Sequence, residues 1–237
     1  MTVTDALLAP VLTSDARRPL ITFYDDATGE RLEFSGETLA NWVAKTANFL
    51  RDECDLEVGG RVSVGLPTHW QTAVVLLGAW WCGAQVVEGA ADVALADAEH
   101  LADADAGVVV GLSLDAFGRP LADLPPDAVD YASEVRMHGD HFTPEPVPGT
   151  APALGDASVD QVVSTSLRRA TELGYGARTR LLSTIDWPLD LQGGLVDGLL
   201  AVLAGGGSLV QVRHADPARL DRVAESERAD VRLTVSP

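Results

Sequence analysis

Lysine is almost missing from this sequence. Lys45 stands alone against sixteen arginines in a chain of 237 residues. Chemistry that needs a lysine on a phosphate, a Schiff base or an activated carboxylate must use Lys45 or do without. Cysteine is as sparse: Cys54 and Cys82 cannot build a disulfide framework or a cysteine-rich zinc site. Basic charge is short overall. Seventeen Lys and Arg face 35 Asp and Glu, a formal charge of −18. A surface that negative repels phosphate backbones and anionic lipid, so nucleic acid and membrane are not expected partners. The longest apolar run, residues 73–87, carries Gln85 and two glycines and is shorter than the ~20 residues of a membrane span. No basic region precedes an apolar stretch at the N-terminus, so no signal peptide is read there and a cytoplasmic protein is expected. The sequence contains no GxxxxGK[ST], GxGxxG or G-x-S-x-G.

What is present is an ordinary globular composition, 46% hydrophobic and 22% charged. Residues 21–26 and 31–34 read as a hairpin around Ala27-Thr28-Gly29-Glu30. Ser35 caps a helix over 37–52, with Leu39, Trp42, Val43, Thr46 and Leu50 on one face. From Arg61 strand and helix alternate: strand 61–66, a very apolar helix 70–82, strand 85–89, an Ala/Asp-rich helix 93–103, and a buried strand 107–114. Residues 115–156 are rich in proline and read as loop, with one strand near 129–135. A second block follows: helix 158–173, strand 179–184, helix 194–203, strand 208–213, a helix from Asp216-Pro217 to about 228, and strand 231–235. Such alternation predicts an α/β fold with mostly parallel sheets covered by helices.

Several residues invite a chemical reading. Gly205-Gly206-Gly207 suggests a phosphate loop, but the order here is helix, glycines, strand. The helix end facing those glycines exposes carbonyls, the wrong pole for an anion, so a helix cap and tight turn is the reading adopted. His138, Asp140 and His141 have a spacing that metals use, but two histidines and a carboxylate in a loop fit a solvated turn better. His214 follows a strand, at the end of a parallel sheet where ligands bind, and Asp216 beside it reads as a helix cap. Ser164, Thr165 and Ser166 with Arg168 and Arg169 read as a solvated helix face. Trp42, Trp70, Trp80 and Trp81 fall on apolar helical faces and read as core.

The order of segments resembles the start of the adenylate-forming enzymes, the superfamily of acyl-CoA synthetases, peptide-synthetase adenylation domains and luciferases. The resemblance lies in Phe34-Ser35-Gly36-Glu37-Thr38-Leu39, Gly60-Arg61-Val62, Leu66-Pro67 and the helix and strand over 76–87. Residues 172–212 and 216–237 resemble the segments that follow that family's phosphate loop. The resemblance implies two interleaved subdomains, one from 1–58 and 157–237 and one from 59–140, with a linker at about 115–156. It also implies specific differences. The family's T-S-G-T-T-G-x-P-K-G loop would precede the helix at 158–173, where this chain has TPEPVPGTAPALGDAS. The aromatic-His pair after the next strand is replaced by Asp186-Trp187-Pro188-Leu189-Asp190. The family's adenine, ribose and C-terminal lysine motifs lie beyond Pro237, and Lys45 matches no catalytic position.

The expectation is therefore a truncated, degenerate relative that does not adenylate and serves as a binding or interaction module, with a homo-oligomer or a ligase as partner. No catalytic or metal residue is assigned and no cofactor is expected. The alternative is an active ligase that uses ATP, AMP or CoA through a replaced phosphate site or with a partner chain. Arg168, Arg169, Arg178 and Arg180 would then substitute for the lysine. A metal module through His138 and His141 is a third reading.

Overall fold

The computed structural model describes residues 1–116 and 118–234. In chain order its strands are β1 (Pro19–Asp25), β2 (Glu30–Ser35), β3 (Arg61–Gly65), β4 (Gln85–Val87), β5 (Ala91–Ala96), β6 (Ala106–Gly111), β7 (Val129–Asp130), β8 (Pro152–Leu154), β9 (Ala157–Ser158), β10 (Arg180–Ser183), β11 (Ser208–Arg213) and β12 (Val231–Leu233). The helices are α1 (Val3–Asp15), α2 (Gly36–Asp52), α3 (Trp70–Trp81), α4 (Tyr131–Glu134), α5 (Val159–Leu173), α6 (Ala201–Ala204) and α7 (Pro217–Glu227). The strands form two sheets, β12-β10-β11-β1-β2 and β7-β6-β5-β3-β4-β8-β9. Among the described residues only β1–β2 and β8–β9 pair antiparallel. This is an α/β fold with mostly parallel sheets flanked by helices. The chain divides into two compact units, unit 1 (1–5, 40–67, 71–162) and unit 2 (6–39, 68–70, 163–237). Among the described residues no helix is long and apolar enough to cross a membrane.

In unit 1 the apolar face of α2 and nearly all of α3 are buried, with Val43, Ala47, Phe49, Leu50, Val74, Leu77 and Trp80 at 1% exposure or less. Gly78 allows this approach, because a Cβ there would lie 2.8 Å from the Thr46 methyl. The Thr46 hydroxyl donates to the Trp42 carbonyl at 2.9 Å and accepts from the buried Tyr131 hydroxyl at 2.6 Å. Replacing Thr46 by the isosteric valine strands that phenol without a partner. We expect Thr46→Val to lose about 1–3 kcal/mol of stability in urea unfolding. No measurable loss would mean the Tyr131 hydroxyl finds another acceptor.

The sequence reading needs three corrections here. The segment read as an Ala/Asp-rich helix at 93–103 is strand β5 followed by one 3₁₀ turn, Leu101–Asp103. It sits between β3 and β6 in a parallel ladder, so pairing on both edges outweighs alanine's helix preference. The strand expected near 129–135 is two residues long, after which Asp130 caps α4 through the Ser133 N–H. The stretch read as linker contributes β8, which pairs with β4, and buries Phe142 and Val147. The first helix, α1, with Pro10 inside it, was not expected. The last strand is described to Leu233, and Val235 lies outside the described residues.

In unit 2, β10, β11 and β12 run parallel with β1. The chain passes from β10 to its neighbour β11, then back across β10 to β12. Two right-handed crossovers in opposite directions send their helices to opposite faces. α7 covers one face, where Val223 and Ala224 pack on Leu182, Val210 and Val212. Open α/β sheets bind ligands at the carboxyl ends of strands where such a reversal occurs.

Candidate functional site

The carboxyl ends of β1, β10 and β11 in unit 2 gather a buried polar cluster. Register places Phe23 beside Gln211 and Gln211 beside Ser183, so the three share one sheet face. Ser183 and Gln211 are 0% and 2% exposed. Polar residues at such positions in an apolar strand need partners. Gln211 Nε2 donates to the Ile185 carbonyl at 3.2 Å, and its Oε1 has no partner among the described residues. Beyond β10 the chain turns, with the Ile185 N–H donating to the Ser183 hydroxyl at 3.3 Å. The Thr68 hydroxyl pins this turn: it donates to Asp186 at 3.3 Å and accepts the Trp187 N–H at 3.0 Å.

Trp187 is buried, and its indole Nε1 has no hydrogen-bond partner among the described residues. It faces a π-helical turn, Val196–Leu200, a distortion that occurs at functional positions. Gly198 lies in that turn, and a Cβ there would fall 3.0 Å from Trp187 Nε1 and 3.5 Å from the Ser183 hydroxyl. Gly194 is required as well, since a Cβ there would overlap the Asp186 carbonyl at 1.7 Å.

His69 completes the cluster. It is 2% exposed and packs edge-on against Phe23 at 4.4 Å between ring centres. Burial, with the Arg213 cation adding to it, depresses its pKa from 6.5 to about 3. The imidazole is therefore neutral at physiological pH and brings no charge to the site. At the rim, His214 Nδ1 lies 2.9 Å from Asp25 Oδ1. Burial pushes the Asp25 carboxyl up, but its bonds to His214 and the Ala27 N–H outweigh this and hold it below its usual range. An indole N–H donor, a carboxamide oxygen acceptor and a neutral imidazole, framed by aromatic surface, suit a neutral group that both accepts and donates a hydrogen bond, such as a protonated carboxyl or a carboxamide. They do not suit a phosphate.

The residues singled out from sequence fall elsewhere, apart from His214. Asp216 caps α7 through the Ala218 N–H at 2.9 Å. Gly205-Gly206-Gly207 is a helix-to-strand turn in which Gly206 has φ +73°. The Arg18 guanidinium donates to the Ala177, Gly206 and Gly207 carbonyls, so this pole takes a cation, as its charge requires. In unit 1, Lys45 Nζ donates to the His138 carbonyl at 2.6 Å. The Gly139 and His141 carbonyls both accept from Asn48 at 2.9 Å. Among the described residues no three His, Cys, Asp or Glu side chains are placed to hold a metal ion. Burial pushes the Cys54 and Cys82 thiols up to about 12, which removes thiolate nucleophiles.

The four arginines of the alternative reading do not converge. Arg168 pairs with Glu172, and Arg169 with Asp197 and Glu172, each at 2.7 Å. Arg178 and Arg180 lie at the opposite end of the sheet, where β10 begins. Ser166, expected on a solvated face, is fully buried. Trp70 and Trp80 are buried as expected. Sequence reasoning missed Thr68, His69 and Gln211. The signals were there: a Thr-His pair after the strand-ending Pro67, and one glutamine inside SLVQVR.

No family model matches the sequence. A Mycobacterium tuberculosis protein described as a TIGR03089 family protein is 50% identical, over 96% of this chain and 96% of its own length. Solved structures match the fold at lower identity. A Brucella canis acyl-CoA synthetase aligns at TM-score 0.78 and 14% identity over 99% of this chain and 47% of its own. Acetoacetyl-CoA synthetase from Streptomyces lividans aligns at 0.78 and 17% over 99% and 42%, and apo MatB from Rhodopseudomonas palustris at 0.70 and 16% over 98% and 49%. The chain spans just under half the length of these solved structures.

Proposed function

The chain belongs to the TIGR03089 family, and from that premise we propose that it binds an acyl-type ligand on an acyl-CoA-synthetase-like fold without adenylating it. The β8–β9 hairpin carries this reading. The resemblance calls for a Thr/Ser/Gly loop with a lysine just ahead of α5. In that place Leu154 pairs with Ala157 across the two-residue turn Gly155-Asp156. Such a turn has neither the length nor the hydroxyls to wrap a phosphate. The single lysine is held on a backbone carbonyl, and the histidine of the candidate site is neutral and supplies no positive charge. Electrostatic stabilisation is usually the largest catalytic term, and each ~1.4 kcal/mol lost is tenfold in rate. The Trp187 Nε1 donor and the Gln211 Oε1 acceptor, both without a partner among the described residues, support retention of a carboxyl-type end that accepts one hydrogen bond and donates another. A ligase or a second copy of the chain is the partner such a module would serve.

The test is ATP–pyrophosphate exchange with a panel of short and medium carboxylic acids, beside thermal shift with the same acids and their thioesters. We expect no exchange above background and a raised Tm with at least one acid or thioester. Exchange abolished by Trp187→Phe and Gln211→Leu would instead establish an active ligase at this site.

A further inference from the structure

Five of the sixteen arginines converge on one groove of unit 2. A cavity of about 570 Å³ is lined by Arg18, Arg31, Arg178, Arg180 and Arg228, with Glu33 and Glu227 the opposing charges. It lies where β1, β10 and β11 begin, at Pro19, Arg180 and Ser208, the sheet edge away from the candidate site. A positive groove on a chain of −18 concentrates field lines that the rest of the surface opposes.

The groove has a fixed wall and a free rim. In the wall, the buried Glu227 carboxylate accepts from the Tyr24 hydroxyl at 2.6 Å, Arg31 Nε at 3.0 Å and Arg180 Nη2 at 2.6 Å. Arg180 also donates to Thr22 at 2.9 Å and to the Glu227 carbonyl at 2.7 Å. These bonds set the planes of two guanidinium groups in advance. Arg18 is held by three carbonyls, and its buried Nε has no partner among the described residues. At the rim, Arg178 and Arg228 are exposed, and among the described residues their side chains form no ion pair. Arg228 is held in place by its left-handed backbone at the end of α7.

We propose that this groove binds a small soluble anion carrying two or more linked phosphate groups. Guanidinium forks match phosphate oxygens in pairs. Two uncompensated arginines ahead of a partly compensated wall call for more than one negative charge. A single carboxylate would leave the rim positive. The proposal does not depend on whether the chain adenylates.

The test is calorimetric titration of the full chain with inorganic phosphate, pyrophosphate and tripolyphosphate, at low and at physiological salt. Affinity should rise with the number of phosphates. The double variant Arg178→Ala/Arg228→Ala should weaken tripolyphosphate binding by roughly tenfold or more. Both side chains are exposed, and an unchanged melting curve will show that the variant folds. Arg168→Ala removes an exposed arginine outside the groove and should leave binding unchanged. No saturable binding, an effect of the double variant below about twofold, or equal weakening by Arg168→Ala would each overturn the proposal.

Discussion

Stability is expected to fall as the pH drops below about 6.5, and His69 is expected to cause it. Its pKa is 6.5 when solvated and about 3 in the fold. Between those values the unfolded chain binds a proton that the folded chain refuses, so acid favours unfolding. The sign follows from the lowered native pKa: full stability holds above 6.5 and is lost as the pH falls towards 3. The slope is about 1.4 kcal/mol per pH unit, so the full window is worth roughly 5 kcal/mol. Most carboxylates stay ionised between pH 6 and about 5, which isolates this term. His69→Gln should cost stability at pH 7, where it loses the packing on Phe23. Its deficit against the parent should then shrink by about 1.4 kcal/mol per unit on acidification. Urea unfolding of both proteins at several pH values measures the gap. A gap that stays constant with pH would mean that His69 titrates normally in the folded state.

The fold was legible where local pattern and tertiary demand agree. The stretch before α2 carries its cap, its face spacing and its amphipathic contrast in consecutive residues, and the sequence boundaries fall within a residue of Gly36–Asp52. The central strands of unit 2 are buried on both faces and bounded by glycine or an Asp-Pro start, so β11 and α7 could be placed directly. Legibility ended where partners lie far along the chain. β5 reads ADVALA, and its three alanines, Ala91, Ala94 and Ala96, give no strand signal of their own. Only β3 and β6 on either side make it a strand. β8 hides behind prolines because Pro152 stands at the first position of the strand, where proline is tolerated.

The candidate site was legible only in its rim. His214 stands out because a histidine after an apolar strand marks the ligand end of a parallel sheet. His69 and Trp187 could not be joined from sequence. More than a hundred residues separate Thr68 from Trp187, yet the Thr68 hydroxyl takes the Trp187 N–H. The resemblance to adenylate-forming enzymes pointed to the right fold and directed attention to missing motifs. Positive charge was harder to read. Arg18, Arg31, Arg180 and Arg228 come from four separate segments, and no composition window contains them together. The fold gathers them because β1, β10 and β11 all begin at one edge.

Glu227 is the residue on which that gathering rests, and its removal should be the most damaging single change in the groove. Its carboxylate is 6% exposed and carries ion pairs to Arg180 at 2.6 Å and Arg31 at 2.8 Å. Burial by itself pushes its pKa up, but the Tyr24, Arg180 and Arg31 bonds outweigh burial and hold it below the usual range. The resulting stabilisation is present above the unfolded carboxyl pKa and is lost as the pH falls through the lower native value. Arg180, whose side chain is 15% exposed, would be left with no carboxylate, and breaking a buried pair from one side costs roughly 3 kcal/mol or more. Glu227→Ala should therefore lower stability by about that amount, with Glu227→Gln intermediate because it keeps the Tyr24 bond and the volume. The same variants should respond to added polyphosphate more strongly than the parent, since the anion would then meet two more uncompensated guanidinium groups. Thermal melts with and without tripolyphosphate separate the two effects. A large loss in Glu227→Ala without ligand rescue would make the cluster a structural clamp alone. A loss that tripolyphosphate partly restores would tie the clamp to the groove it holds open.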